Sequence, residues 1–284
     1  MGPNAVRIFA DKSVADVRQY WDERPCNIRH SPKPIGSKEY FDEVEARKYF
    51  VEPHIPGFAQ FDRWRGKRVL EVGCGIGTDS INFARAGAAL TAVDLSSESL
   101  RIAAQRADVM GVADRIRFLE ADAETLSSAL ADERFDLVYS FGVIHHTPHP
   151  DRALAEMRRL AATGGTLKLM VYHRHSWKVF WILVRQEHGR FWNAEERIAR
   201  HAEAQIGCPV AFTYTRREGR ELVERAGFEV SKVEADHVFP YRIRDYVEYR
   251  YVKQPQFRAM PAPVFRTFER AFGWHLLITA EARA

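Results

Sequence analysis

The residues best suited to chemistry stand close together in Val69-Leu70-Glu71-Val72-Gly73-Cys74-Gly75-Ile76-Gly77-Thr78-Asp79, an apolar run that passes into three glycines and then a helical pattern. Glycines at alternate positions let the backbone turn tightly and let a ligand lie against bare peptide groups. A dinucleotide fingerprint reads G-x-G-x-x-G, but counted from Gly73 its last glycine falls on Thr78, and counted from Gly75 it falls on Ser80. The dinucleotide reading therefore fails on spacing. Asp94 lies seventeen residues beyond Gly77. A carboxylate there can accept hydrogen bonds from both hydroxyls of an unphosphorylated ribose. Asp122, in Glu120-Ala121-Asp122-Ala123, can accept from an adenine amino group. The three features together imply a nucleoside-like ligand.

The second candidate is the pair His145-His146, which follows Ser140-Phe141-Gly142-Val143-Ile144. A neutral imidazole with a pKa near 6.5 can take a proton from a hydroxyl or ammonium group. His146, and after it His145, is thus a candidate base. The bland alternative is that both pack the loop, since proximity and orientation can supply much of a rate without a base. His145, His146 and His149, with His173 and His175, also raise a metal reading. No H-E-x-x-H and no close cysteine pair accompanies them, and Pro148 and Pro150 break the spacing that would align ligands, so no metal is expected.

Apolar runs alternating with helical patterns must position these groups, and that alternation predicts a doubly wound α/β sheet. The strand candidates are Arg68-Val72, Ala89-Asp94, Ile116-Ala121, Phe135-Ser140, Leu167-Tyr172, Phe228-Val233 and Trp274-Ala280. A helix from about Ser97 to Met110 turns Leu100, Ala103, Ala104 and Ala107 inward and stops at Gly111. Another opens at Pro150, carries Leu154, Met157 and Ala161 inward and ends at the Gly164-Gly165 break. Thr215 and Glu218 form a capping box ahead of Leu222 and Val223. Residues 1–65, 173–214 and 237–273 fall outside the alternation and are rich in aromatics. The expected organisation is an N-terminal cap segment over 1–65, a ligand-binding core over 66–172, a lid insertion over 173–214, a core continuation over 215–236, a second insertion over 237–273 and a final core strand over 274–284. Val264, Phe265, Phe268 and Phe272 predict an amphipathic helix in the second insertion. Trp177–Val184 reads as a helix over the substrate crevice, with a dimer interface or a membrane surface as alternatives. The tyrosines from Tyr241 to Tyr251 read mostly as packing.

The chain has 284 residues, 46% apolar and 28% charged, which suits a folded globular protein and is too apolar for a disordered one. No apolar stretch approaches eighteen residues, and Arg7, Asp11 and Lys12 around Ile8-Phe9-Ala10 do not form a signal-peptide block. Cys26, Cys74 and Cys208 are odd in number and far apart, which points to a reducing, cytoplasmic setting. A net charge of +4 arises from 42 basic against 38 acidic residues, a balance too even to imply a nucleic-acid partner.

On these residues the sequence resembles the class I S-adenosylmethionine-dependent methyltransferases, and more narrowly the small-molecule branch with a Gly-Val/Ile-Leu/Ile-His-His segment after the fourth strand. Glu71 to Gly77 looks like the family's first motif, Asp94 its ribose acid, Asp122 its adenine-contacting acid, and Phe135-Asp136-Leu137-Val138 its fourth strand. The resemblance implies a Rossmann-like seven-stranded sheet whose last strand, here Trp274-Ala280, enters antiparallel between the fifth and sixth. It implies S-adenosylmethionine as cofactor and S-adenosylhomocysteine as product. The implied contacts are Glu71, Gly73, Cys74, Gly75, Gly77, Asp79, Asp94, Leu95, Asp122, Ala123 and Phe141, with Tyr20 and Tyr40 of the N-terminal segment helping to cover the ligand. The acceptor expected is an O or N atom of a small organic molecule such as a natural-product intermediate. The rivals are a peptide, protein or RNA acceptor and a binding module without transfer chemistry. Enzymes that methylate amino groups of nucleic acids carry an Asp/Asn/Ser-Pro-Pro-aromatic run after the fourth strand, where this chain has Ser140-Phe141-Gly142-Val143. A second copy of the chain is a further candidate partner. The link between the sixth and seventh strands is usually a short hairpin in the family, and here it occupies residues 237–273.

Overall fold

Strand β1 (Arg68–Val72) is buried along its length beyond Arg68, as a central parallel strand covered on both faces must be. The computed structural model describes residue 9, residues 11–201 and residues 208–283; Arg7, Ile8 and Ala10 of the N-terminal reading lie outside them. Around β1 the chain builds β2 (Ala89–Asp94), β3 (Ile116–Glu120), β4 (Phe135–Phe141), β5 (Ala161–His173), β6 (Thr213–Tyr214), β7 (Phe228–Asp236) and β8 (His275–Ala282), in the order β3-β2-β1-β4-β5-β8-β7. Strands β1 to β5 run parallel, and β8 lies antiparallel between β5 and β7. The expected seven-stranded arrangement is present, with one addition. β6 pairs in parallel with Tyr172 and His173 of β5. The other edge of Tyr172 is taken by His275, so β6 occupies the edge that β4 leaves beyond Met170.

The path from β1 runs outward through β2 and β3, then returns to the other side of β1 at β4. This reversal opens the crevice in which doubly wound sheets hold ligands, and the glycine loop sits at it. The helix Ser97–Val109 forms as expected, capped by Ser96 Oγ, but its buried face includes Ile102 and Arg106 and leaves Leu100 and Ala104 half-buried. The cap explains the difference, because Arg106 is fully buried and donates to Thr78 Oγ1 (2.6 Å), the Phe41 carbonyl (3.1 Å) and Glu45 (3.2 Å). The helix is covered by the sheet on one side and by the cap on another. The Thr215–Glu218 capping box closes as read from sequence.

The cap contributes the helices Val14–Glu23, Lys38–Val51 and His54–Ala59. Asp22 accepts from Ser96 Oγ at 2.8 Å and so fastens the first helix to the start of Ser97–Val109. Lys48 on the second helix donates to Asp79 at 2.7 Å, in a pair whose side chains are 12% and 3% exposed. The second insertion closes on the same helix, with the Arg47 guanidinium 4.0 Å from the Tyr246 ring and 4.3 Å from that of Tyr249. Those tyrosines are packing, as expected.

The two insertions also meet each other. Trp177 lies 5.8 Å from both Phe257 and Phe268. Its helix, Trp177–Trp181, runs into a wider turn, Ile182–Gln186, and buries Val179, Ile182 and Leu183 while Phe180 stays exposed. Residues Ala262–Phe272 form the expected helix, but its apolar stripe is only partly covered. Val264 is 53% and Phe272 47% exposed, and the buried residue is Glu269, held by Arg266 at 2.9 Å. Among the described residues no helix is long and apolar enough to cross a membrane.

Removing one partner of a buried ion pair leaves a charge without compensation. Lys48→Met is expected to destabilise the fold by about 3–5 kcal/mol, and adding Asp79→Asn to recover much of that loss. Urea denaturation of both variants measures it; equal stability of Lys48→Met and the parent chain contradicts it.

Candidate active site

The turn after β1 is built by conformations open mainly to glycine. Gly73 has φ +79°, and a Cβ there would lie 2.2 Å from Cγ2 of Val143, so the loop after β4 presses directly on it. Gly75 has φ +52°, but its missing Cβ faces open space, the bare peptide surface that a ligand can lie on. The Gly75 N–H donates to Asp94 Oδ2 at 2.7 Å, and the Ser96 N–H to Oδ1 at 2.9 Å. Burial raises the Asp94 carboxyl above its ordinary range, and those N–H groups act against the shift.

A cavity of about 320 Å³ opens above this turn. Gly73, Cys74, Gly75, Asp94, Leu95, Asp122, Ala123, Phe141 and His146 of the expected residues line it. Asp122 caps the short turn that follows by accepting from the Glu124 N–H at 2.9 Å. Strand order divides the cavity. The ends of β1, β2 and β3 supply the glycines and acids; the ends of β4 and β5 and the start of β8 supply Phe141, Met170, Tyr172, Trp274 and His275. The roof is Val14, Val17 and Trp21 of the first cap helix with Lys48 of the second and Glu52 directly after it.

Six of the expected residues stand outside the lining. Gly77 packs its α-carbon side on Ala103. Asp79 is buried and accepts from Lys48 Nζ, Tyr49 OH (2.9 Å) and Tyr139 OH (2.8 Å). Glu71 lies beneath the turn and accepts from Ser80 Oγ; burial, then repulsion from Asp79, pushes its carboxyl up to about 8. Tyr40 is fully buried and donates to the Ile28 carbonyl at 2.8 Å, within a small cluster with Phe41, Val44, Ile76 and Ile102. Tyr20 packs edge-on against Trp21, and it is Trp21 that reaches the cavity.

The two histidines separate. His146 lines the cavity; its Nδ1–H donates to the Val210 carbonyl at 2.7 Å, leaving Nε2 as the acceptor, 3.3 Å from Tyr172 OH. Trp21 meets its ring edge-on at 5.4 Å. His145 is fully buried behind Tyr172, its ring 3.8 Å away, with neither ring nitrogen hydrogen-bonded among the described residues. Burial, with His146 and Lys178 adding to it, pulls the His145 pKa far below the usual imidazole value, so the ring stays neutral.

Glu52, Lys178, His237 and His275 also line the cavity, and no sequence motif marked them. Burial lowers the pKa of His237 and His275 well below the ordinary value. A positional signal existed for Tyr172 and His275. Tyr172 is at the carboxyl end of a parallel strand, and β8 runs antiparallel, so its first residue comes to that same edge.

Residues 69–165 match the methyltransferase-domain family. They form a class I S-adenosylmethionine-dependent methyltransferase domain. The chain is 37% identical over 147 residues to a demethylmenaquinone methyltransferase of Renibacterium salmoninarum, a match covering 48% of this chain and 58% of the relative. It is 32% identical over 123 residues to a ubiquinone biosynthesis O-methyltransferase of Psychrobacter cryohalolentis, covering 43% and 48%. These matches thus span about half the length of each relative. The fold is similar to that of magnesium protoporphyrin IX methyltransferase from Synechocystis PCC 6803, solved with bound S-adenosylhomocysteine, with a TM-score of 0.59 and 15% identity over 95% of this chain and 100% of that one.

Glu71 ties protonation to stability. Its folded pKa, about 8, lies above the ordinary 4.5, so the stability linked to its bound proton is whole below about pH 4.5 and is lost as pH rises from there through about 8. Glu71→Gln is expected to lack this loss. Its stability relative to the parent should rise steadily between pH 5 and 8 in urea titrations, and a constant difference across that window contradicts the assignment.

Proposed function

We propose that this chain transfers a methyl group from S-adenosylmethionine to an oxygen or nitrogen atom of a small organic molecule. The observation that carries the reading is a single cavity that joins the open face of Gly75, Asp94 and Asp122 to an aromatic acceptor side built from Phe141, Tyr172 and Trp274. The residues present suit the cofactor. Asp94 has acceptor capacity for two ribose hydroxyls, Asp122 for an adenine amino group, and the turn offers a surface without side chains. Bound there, the cofactor supplies a sulfonium methyl and leaves as S-adenosylhomocysteine.

What the protein does is align and desolvate the acceptor. Trp21, Tyr172 and Trp274 give an oriented flat acceptor its faces, and His146 Nε2 takes the proton that the nucleophile loses, while the Val210 carbonyl holds the opposite ring nitrogen protonated. The two quinone-pathway relatives support an oxygenated aromatic acceptor. A peptide, protein or RNA acceptor, and a binding module without turnover, are the rival outcomes of an acceptor screen.

Two variants test the reading. Asp94→Ala is expected to weaken S-adenosylmethionine binding by about 10–100-fold, the loss of charge-assisted hydrogen bonds to the ribose; unchanged affinity by calorimetry removes the ribose from this carboxylate. His146→Ala is expected to lower kcat by about 100-fold with cofactor affinity nearly intact, most strongly at low pH, where the acceptor is protonated. An undiminished rate across pH removes His146 as base.

A further inference from the structure

A second constellation in the cavity is not used by the transfer chemistry above. Glu52, His237 and His275 each offer one ligand atom, and these atoms lie within 4.8 Å of one another. The three come from distant parts of the chain: Glu52 directly follows the helix Lys38–Val51, His237 directly follows β7, and His275 opens β8. Histidines of the earlier metal reading, between His145 and His175, take no part.

Three details of geometry bear on what this cluster is for. Glu52 Oε1 stands 3.5 Å from His275 Nε2. That is long for a hydrogen bond between an imidazole and a carboxylate. It is close to the edge, about 3.4 Å, of a tetrahedron of ligands with bonds of about 2.1 Å. The other nitrogen of His275, Nδ1, lies 3.0 Å from His54 Nε2. Donation from Nδ1–H to His54 turns the Nε2 lone pair toward Glu52, which is how an outer partner fixes the tautomer of a metal-bound imidazole. Finally, His237 has φ +69°, a conformation that non-glycine residues seldom adopt. Its N–H is held by the Asp236 carboxylate at 2.7 Å and its carbonyl by the Trp274 N–H at 2.8 Å. The strained backbone places the His237 ring against His275, centroids 4.5 Å apart, on the cavity wall.

We propose that Glu52, His237 and His275 bind one divalent transition-metal cation. Two imidazoles and one carboxylate suit zinc, iron or cobalt rather than magnesium or calcium, which prefer oxygen alone. Three protein ligands leave coordination positions open toward the cavity. One carboxylate against a dication leaves a net positive charge, and Lys178 also lines this wall. The open positions therefore suit an anionic oxygen, such as a phenolate or carboxylate of the acceptor. That last step rests on the methyl-transfer reading; the cation site does not. A plain chain of hydrogen bonds from Glu52 through His275 to His54 is the alternative, and it gives no part to His237.

Cobalt(II) titration of the tag-free full chain, followed by visible absorption, tests the site. The expected result is one saturable cobalt per chain, displaced by equimolar zinc, with affinity reduced at least tenfold by Glu52→Gln and by His237→Gln and unchanged by His175→Gln. Absence of saturable binding by the parent chain overturns the proposal, as does binding that survives both substitutions. Glu52→Gln is isosteric, and S-adenosylmethionine calorimetry on each variant reports an intact pocket. Cobalt binding without cofactor binding keeps the site and removes the methyl-transfer reading, and cofactor binding without cobalt does the reverse.

Discussion

Much of this structure depends on one buried carboxylate. Asp79 receives Lys48 from the cap, Tyr49 from the same cap helix and Tyr139 from β4. It is therefore the point where the glycine-loop helix, the N-terminal segment and the sheet are tied together. The Lys48 ammonium is buried, which alone would lower its pKa, but Asp79 and Glu52 outweigh that cost and raise it. Desolvating both charges is expensive, and such pairs seldom add net stability. What this one supplies is register. With Lys48 fixed, the helix Lys38–Val51 has one position over the cavity, and Glu52 and His54, which follow it in the chain, reach His275 at the start of β8.

The cavity has two chemical halves because the strand order has two directions. Moving outward from β1 to β3, the strand ends carry Asp94 and Asp122 beside a turn without side chains, a surface of acceptors suited to a nucleoside. Moving the other way, through β4, β5 and β8, they carry Phe141, Tyr172 and His275, a surface of rings. The loop after β4 belongs to both. Val143 presses on Gly73, while His146, three residues later, faces the aromatic side. That one loop therefore borders the glycine turn and the aromatic wall of the cavity together.

The sheet and its ligand edge were legible because parallel strands are local runs of apolar residues and glycine turns need particular residues at particular places. Asp94 and Asp122 could be placed from sequence for the same reason, since Asp94 ends β2 and Asp122 stands two residues beyond the end of β3. Tyr40 could not be. A buried tyrosine in a cap helix reads the same whether its hydroxyl faces a ligand or, as here, the Ile28 carbonyl. Nor could the inner face of Ala262–Phe272, because Phe265 and Phe268 pack on the distant Phe257 and Trp177, and that contact, rather than helical period, decides which side is covered. Glu52, His237 and His275 carry no local pattern, for they meet only when the cap closes on β7 and β8.

The closing of the cap is also a constraint on what the cavity can admit. Arg47 is clasped by Tyr246 and Tyr249 of the second insertion, and the residue beside it, Lys48, is locked to Asp79. Neighbouring residues of one helix thus hold the aromatic insertion and the glycine-loop helix at once. Trp177 joins the first insertion to the second through Phe257 and Phe268. An acceptor that is larger than the cavity must therefore displace elements that share contacts, and the expense of separating them falls on several buried groups together. Trp21, Lys48 and Glu52 roof the boundary between the half lined by Asp94 and Asp122 and the aromatic half, and a polar reaction gains most where such a roof excludes water.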